Sequence, residues 1–179
     1  MIKRISRFFL ITVTYTLIFS CNQAIDNTDI ETFMDKNHPR LNNKKLEFGN
    51  DLYSTNFDSF EFKGGNSKII FTGLMSCSSC VLRLKDIQEL ADKRFQKTQV
   101  IYIGIGERNE YFDYQVKKNN FSYPVIIDES GTFISGNNIE ELDESAFFVN
   151  GNNEIKLIGS PIQSEELLIF YQRLISSSK

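Results

Sequence analysis

The chain has 179 residues, of which 41% are apolar and 24% charged, and its formal net charge is -3. This length favours one domain of ordinary size, and the composition excludes a chain that is disordered throughout. Because there is no basic surplus to neutralise phosphates, nucleic acid is not expected as a partner. Three cysteines are too few for a fold stapled by disulfides, so their positions carry most of the functional information.

The first 20 residues have the pattern of an export signal. A cationic start is followed by an uncharged, mostly apolar run over residues 8–19, and the small residue Ser20 precedes Cys21. Residues 17–21, Leu-Ile-Phe-Ser-Cys, resemble the lipobox of bacterial lipoproteins. That resemblance implies a lipoprotein signal peptide over residues 1–20 and lipid attachment at Cys21. A weak N-terminal transmembrane anchor is the alternative interpretation.

The next stretch, residues 21–45, contains many asparagines and scattered charges, few apolar residues and no sustained periodicity. We therefore expect a flexible tether between the lipid and a folded part over residues 46–179. Further along, Phe57, Phe60 and Phe62 precede a Gly-Gly-Asn turn signal and predict an additional β-hairpin.

A strand, a cysteine pair and a helix follow one another after this hairpin. Residues 68–74 form a short apolar, β-rich run. From Val81 onward, apolar residues recur every three or four positions, which predicts an amphipathic helix that begins at Cys77 and Cys80. A thiol at a helix N-terminus faces unpaired backbone N–H groups, which favour the thiolate. Cys77 is therefore the candidate nucleophile, and the more buried Cys80 is the candidate resolving cysteine.

This order of strand, Cys77-Ser-Ser-Cys80 and helix resembles the active site of thioredoxin-like proteins. Half of a zinc site is an alternative, but the chain has no second cysteine pair, and its single histidine, His38, lies in the predicted tether. An inert structural disulfide is the other alternative. We expect neither a metal nor another cofactor.

Strand and helix patterns alternate through the rest of the chain. Strands are predicted over residues 99–104, 123–128, 145–149 and 154–158, and helices over residues 109–120 and 163–176. Over residues 46–176 the order resembles the TlpA and ResA group of extracytoplasmic thiol-disulfide oxidoreductases. The resemblance implies an α/β, thioredoxin-like three-layer fold, with a central mixed β-sheet flanked by helices and an N-terminal β-hairpin extension.

The resemblance also implies three further site residues. Glu107 follows the second strand, where that group commonly has a glutamate near the cysteines. We expect it to take the proton of Cys80 from a half-buried pocket, and a solvated loop glutamate next to Arg108 is the alternative. Glu144 stands at the position of the group's cis-proline and, with Ser145, forms the candidate substrate loop. Because a cis bond is costly without proline, we expect Glu144 to be trans and the loop to be rearranged.

The sequence thus predicts a membrane-tethered thiol-disulfide oxidoreductase of the bacterial cell envelope, facing the periplasm or the exterior. Its expected partners are protein thiols and disulfides, a membrane electron donor or oxidant, and the membrane itself through the lipid. The alternatives are a non-catalytic thioredoxin-like binding lipoprotein and a Cu(I)-handling thiol protein.

Overall fold

The computed structural model describes residues 27–49, 52–54, 66–96, 98–139 and 145–178. In chain order the elements are α1 (Thr28–Asn37), β1 (Tyr53–Ser54), β2 (Lys68–Leu74), α2 (Ser78–Leu82), α3 (Leu84–Arg94), β3 (Gln99–Ile105), α4 (Glu110–Lys118), β4 (Val125–Asp128), α5 (Thr132–Gly136), β5 (Ala146–Val149), β6 (Ile155–Ile158) and α6 (Glu165–Ser177). Among these helices, none is long and apolar enough to span a membrane.

The strands in the described ranges form one sheet in the spatial order β1-β4-β3-β2-β5-β6. β2, β3 and β4 run parallel, whereas β1, β5 and β6 are antiparallel to their neighbours. Nearly every residue of β2 and β3 is buried, as expected for central strands covered on both faces, and these strands therefore read as continuous apolar runs. The predicted central mixed sheet flanked by helices is confirmed. The predicted N-terminal hairpin rests on residues 57–62, which lie outside the described residues.

Two helical predictions need adjustment. The helix that follows the cysteines is divided at Arg83 into α2 and α3. The short helix α5 was not predicted, because five residues are too few to show a periodicity. It begins after Asp128, whose buried carboxylate accepts hydrogen bonds from the backbone N–H groups of Thr132 and Phe133, both at 3.0 Å. This carboxylate satisfies N–H groups that the start of a helix leaves without backbone partners.

The prediction of a flexible tether over residues 21–45 is wrong from residue 28 onward. Helix α1 packs against β6 and buries Ile30 and Met34 completely or nearly so. Beyond it, the N–H of Asn43 donates to the carbonyl of Ile155 at 2.9 Å, so the backbone pairs with the β5–β6 hairpin. The apolar positions of α1 span little more than one turn and stand among polar residues, which is why their periodicity was not recognised.

We call residues 28–49 the N-terminal clasp. Its second half is held by Asn137, the C-cap residue of α5. The side chain of Asn137 donates to the carbonyl of Glu47 at 2.8 Å and accepts from the N–H of Glu47 at 2.9 Å. Next to this pair, the ring of Phe48 stacks on Phe133 with centroids 5.6 Å apart. The folded part of the chain therefore includes this clasp. The predicted signal peptide and Cys21 lie outside the described residues.

Candidate redox site

The cysteine pair lies where β2 ends and α2 begins. Cys77 is the N-cap residue of α2, and its N–H donates to the carbonyl of Leu74 at 3.1 Å. A disulfide bond joins Cys77 to Cys80, with the two Cα atoms 5.3 Å apart. Cys77 is half-buried, whereas Cys80 is only 3% exposed. The accessible sulfur and the buried sulfur are therefore those predicted for the nucleophile and the resolving cysteine.

Two donors face the sulfur of Cys77. The backbone N–H of Cys80 points to Cys77 Sγ at 3.4 Å, and the hydroxyl oxygen of Ser79 lies 3.1 Å from the same atom. In the reduced protein both groups can donate to a thiolate at this position, and donation to a charged sulfur is stronger than donation to a neutral one. The site therefore favours negative charge on Cys77.

An asparagine that the sequence analysis did not select supports the loop before the cysteines. The side chain of Asn109 donates to the backbone carbonyl of Met75 at 3.0 Å and accepts from the N–H of Phe112 at 2.9 Å, which caps α4. The N–H of Met75 also donates to the carbonyl of Ile105 at 3.0 Å. The recognisable signal was an asparagine directly before a helical pattern, which is a typical N-cap.

Behind Cys80 there is a small cavity of about 20 Å³, which we call the Cys80 cavity. Polar and charged side chains contribute to its lining, namely those of Thr72, Arg83, Tyr102, Ser145 and Ser160. Ser145 is held there by its backbone, because its carbonyl accepts from the N–H of Thr72 at 2.9 Å and its own N–H donates to Thr72 Oγ1 at 3.2 Å. The structure thus places the predicted loop residue Ser145 in the lining of the same cavity as Cys80.

The predicted acidic residues have other surroundings. Glu107 follows Gly106, which has a positive φ of 95°, and its side chain is exposed. The expectation of a half-buried pocket around Glu107 is therefore wrong, because the loop carries this residue away from the sheet into solvent. Its neighbour Arg108 pairs with Asp113 at 2.8 Å. Glu144 lies outside the described residues.

No group of three or more histidine, cysteine, aspartate or glutamate side chains is placed to hold a metal ion within the described ranges. His38 ends α1 in the N-terminal clasp, where partial burial lowers the pKa of its imidazole. It does not belong to the lining of the Cys80 cavity.

The sheet order and a C-x-x-C pair between β2 and α2 are those of a thioredoxin-like fold. Among solved structures, the chain is similar to a thioredoxin-like protein in its oxidised form, with 11% identity, a TM-score of 0.62 and coverage of 78% of this chain and 99% of that one. No protein-family model matches the chain, and a search of curated proteins finds no match.

Two further similar structures carry functional names. One is described as the thiol:disulfide interchange protein DsbE from Chlorobium tepidum, with 14% identity, a TM-score of 0.53 and coverage of 63% of this chain and 82% of that one. The other is the thioredoxin domain of a thiol-disulfide oxidoreductase from Bacteroides vulgatus, with 9% identity, a TM-score of 0.52 and coverage of 63% and 81%. At these identities the likeness is one of fold, and a fold alone does not assign a function.

Proposed function

We propose that this protein is a thiol-disulfide oxidoreductase that exchanges disulfides with other proteins through Cys77 and Cys80. The observation that carries this proposal is the asymmetry of the pair: Cys77 is accessible at the start of α2 with two donors at its sulfur, and Cys80 is buried one turn further on. The names of the similar structures support the same chemistry.

In the reductive direction the Cys77 thiolate attacks a substrate disulfide. A Cys77–substrate disulfide forms, and the first substrate sulfur leaves as a thiolate and takes up a proton. Cys80 then loses its proton and attacks Cys77 Sγ, so that the second substrate sulfur leaves and is protonated in turn. The substrate gains an electron pair, and the chain gives up that pair as its dithiol becomes a disulfide. A reduced thiol donor must restore the dithiol for the next cycle.

Insulin reduction with dithiothreitol tests this proposal. We expect the wild-type chain to accelerate the reaction and Cys77→Ser to abolish the acceleration, because serine supplies no thiolate. Cys21→Ser is the matched control, since it removes the third cysteine and leaves the pair intact. Equal rates for the wild type and Cys77→Ser would reject the oxidoreductase and favour a non-catalytic binding protein.

Attachment to the membrane is a further part of the proposal. The lipobox-like residues before Cys21 support cleavage after Ser20 and lipid on the Cys21 sulfur, which would place the domain in the cell envelope. In a bacterial host we expect the full chain in the membrane fraction, with the mass of a lipidated mature protein. Cys21→Ser should remove both properties, and an unmodified mass for the wild type would contradict lipid attachment.

Glu107 is proposed as the acceptor of the Cys80 proton, a role that it would perform from its solvent-exposed position. Its support is its place in the loop directly after β3, the strand that pairs with β2 alongside the cysteine site. Glu107→Gln should slow insulin reduction and shift its pH profile, whereas Glu110→Gln, an exposed glutamate of the neighbouring helix, should not. An unchanged profile in Glu107→Gln would reject this role.

A further inference from the structure

The hydroxyl of a buried tyrosine and the Cβ of the resolving cysteine both border Gly73 of β2. Tyr102 on β3 is paired in register with Phe71, and its ring extends along the sheet into the space left by Gly73. A Cβ atom on residue 73 would collide with the Tyr102 hydroxyl and would lie 3.4 Å from the Cβ of Cys80. The missing side chain of Gly73 therefore leaves room for the phenol hydroxyl on the side of residue 73 that Cys80 also borders.

The ring of Tyr102 is fixed in this position. It stacks on Phe112 with centroids 6.1 Å apart and meets Phe121 edge-on at 6.2 Å, and the residue is only 1% exposed. Tyr102 and Cys80 both line the Cys80 cavity, which at about 20 Å³ has room for about one water molecule. The Tyr102 side chain therefore needs no change of position for its hydroxyl to face the Cys80 cavity.

A thiolate at Cys80 needs such a group. Cys80 is almost fully buried, and burial without a polar partner disfavours the charged form. Among the described residues that line the cavity, the titratable and charged neighbours are Arg83 and Tyr102, and Cys77 lies across the disulfide. The neutral neighbours with hydroxyl groups are Thr72, Ser145 and Ser160.

We propose that the hydroxyl of Tyr102 stabilises the Cys80 thiolate across the Cys80 cavity, and so makes Tyr102 a positioning residue for the resolving step. This inference rests on the proposed oxidoreductase function. In that step the Cys80 sulfur gives its proton to solvent and attacks Cys77 Sγ. The bond between Cys77 and the substrate sulfur breaks, and the substrate sulfur leaves as a thiolate and takes up a proton. The phenol donates a hydrogen bond to the sulfur and keeps its own proton throughout.

The expected size of the effect follows from two opposing changes. Losing a donor to a buried thiolate should raise the pKa of Cys80 by about one unit, so that tenfold less thiolate is present near neutral pH. The remaining thiolate is intrinsically more nucleophilic, by about threefold for each unit of increase in its pKa. Removing the hydroxyl should therefore slow resolution by only about threefold, and the pKa of Cys80 is the sharper measurement.

The test compares the reduced full chain with Tyr102→Phe, which keeps the ring and removes the hydroxyl. Cysteine labelled with ¹³C at Cβ allows the titration of Cys80 to be followed by NMR without any substrate. The matched control is Tyr171→Phe, because Tyr171 is also fully buried and its hydroxyl donates to the carbonyl of Gly159 at 3.0 Å. We expect the Cys80 pKa to rise in Tyr102→Phe and to stay at the wild-type value in Tyr171→Phe.

An unchanged Cys80 pKa in Tyr102→Phe would overturn the inference, as would an equal rise in Tyr171→Phe, which would indicate a general loosening. Stopped-flow measurement of resolution provides a second readout. A wild type that does not reduce insulin would reject the proposed function and leave the titration interpretable. A redox-active wild type whose titration does not respond to Tyr102→Phe would reject the role of Tyr102 alone.

Discussion

The cysteine site and the N-terminal clasp are built on different principles. At the cysteine site, polar and apolar side chains together line a small cavity, and Cys77 is left partly accessible. In the clasp, apolar side chains from α1 are buried and the backbone of residues 43–47 is paired with the hairpin and with Asn137. Polar contacts thus dominate around the Cys77 sulfur, whereas apolar burial and backbone pairing anchor the clasp, so the two regions can be perturbed separately.

The largest expected effect on stability is at the apolar side of α1. Met34→Ala should lower the free energy of unfolding by about 2–5 kcal/mol, because it removes a fully buried side chain and leaves a cavity. Urea unfolding measures the change, and Thr32→Ala on the exposed side of the same helix is the control. Insulin reduction under native conditions should persist. Equal stabilities for the two variants would mean that α1 does not dock as described.

The next effect concerns the polar contact that holds the second half of the clasp. Asn137→Ala removes both hydrogen bonds with Glu47 and a third to the carbonyl of Phe133. It should cost about 1–3 kcal/mol, because the partly buried backbone N–H and carbonyl of Glu47 lose this partner. Thermal unfolding measures this loss. Ser135→Ala, at an exposed position of the helix that Asn137 caps, should change little. A neutral Asn137→Ala would show that the clasp is held by apolar contacts alone.

Asn109→Ala separates the cysteine site from the clasp, because it removes contacts that support the loop before Cys77 and none that hold the clasp. Loss of the α4 cap should cost about 1 kcal/mol, and loss of the contact with the Met75 carbonyl should also slow insulin reduction. The control is Asn119→Ala at the opposite end of α4, where the side chain donates to the carbonyl of Gln115 at 2.9 Å. If both variants reduce insulin equally fast, Asn109 acts on stability only.

The smallest effect is a pH dependence in the clasp. Burial lowers the pKa of His38 below its ordinary value, so the unfolded chain binds the proton more readily than the folded chain. The stability contributed by neutral His38 is complete above the ordinary pKa of about 6.5 and is lost as pH falls through the lowered value. His38→Gln should flatten the dependence of unfolding free energy on pH in this window. An identical dependence in both proteins would contradict the burial effect.

Sequence patterns predicted the cysteine site well, because a pair of cysteines between a strand and a helix can be recognised from residue types alone. The strand before Cys77, the helix after Cys80 and the β5–β6 hairpin all show local periodicities or turn signals, and the structure confirms them. The contributions of Met34 and Asn137 to stability could not be predicted in this way, because they depend on contacts with chain segments that are distant in sequence. The expected half-burial of Glu107 was wrong for a related reason, because the exposure of a loop residue depends on the path of the loop, which the local composition does not encode.

The clasp also has a geometrical consequence under the proposed lipid attachment. A flexible segment over residues 21–45 could extend to about 80–90 Å, whereas only residues 22–27 separate Cys21 from α1, and they reach at most about 25 Å. The segment between the lipid and the domain would then be short, and the domain would stay close to the surface of the bilayer. Such a position favours exchange with partners that are themselves held at the membrane over partners that diffuse freely through the envelope.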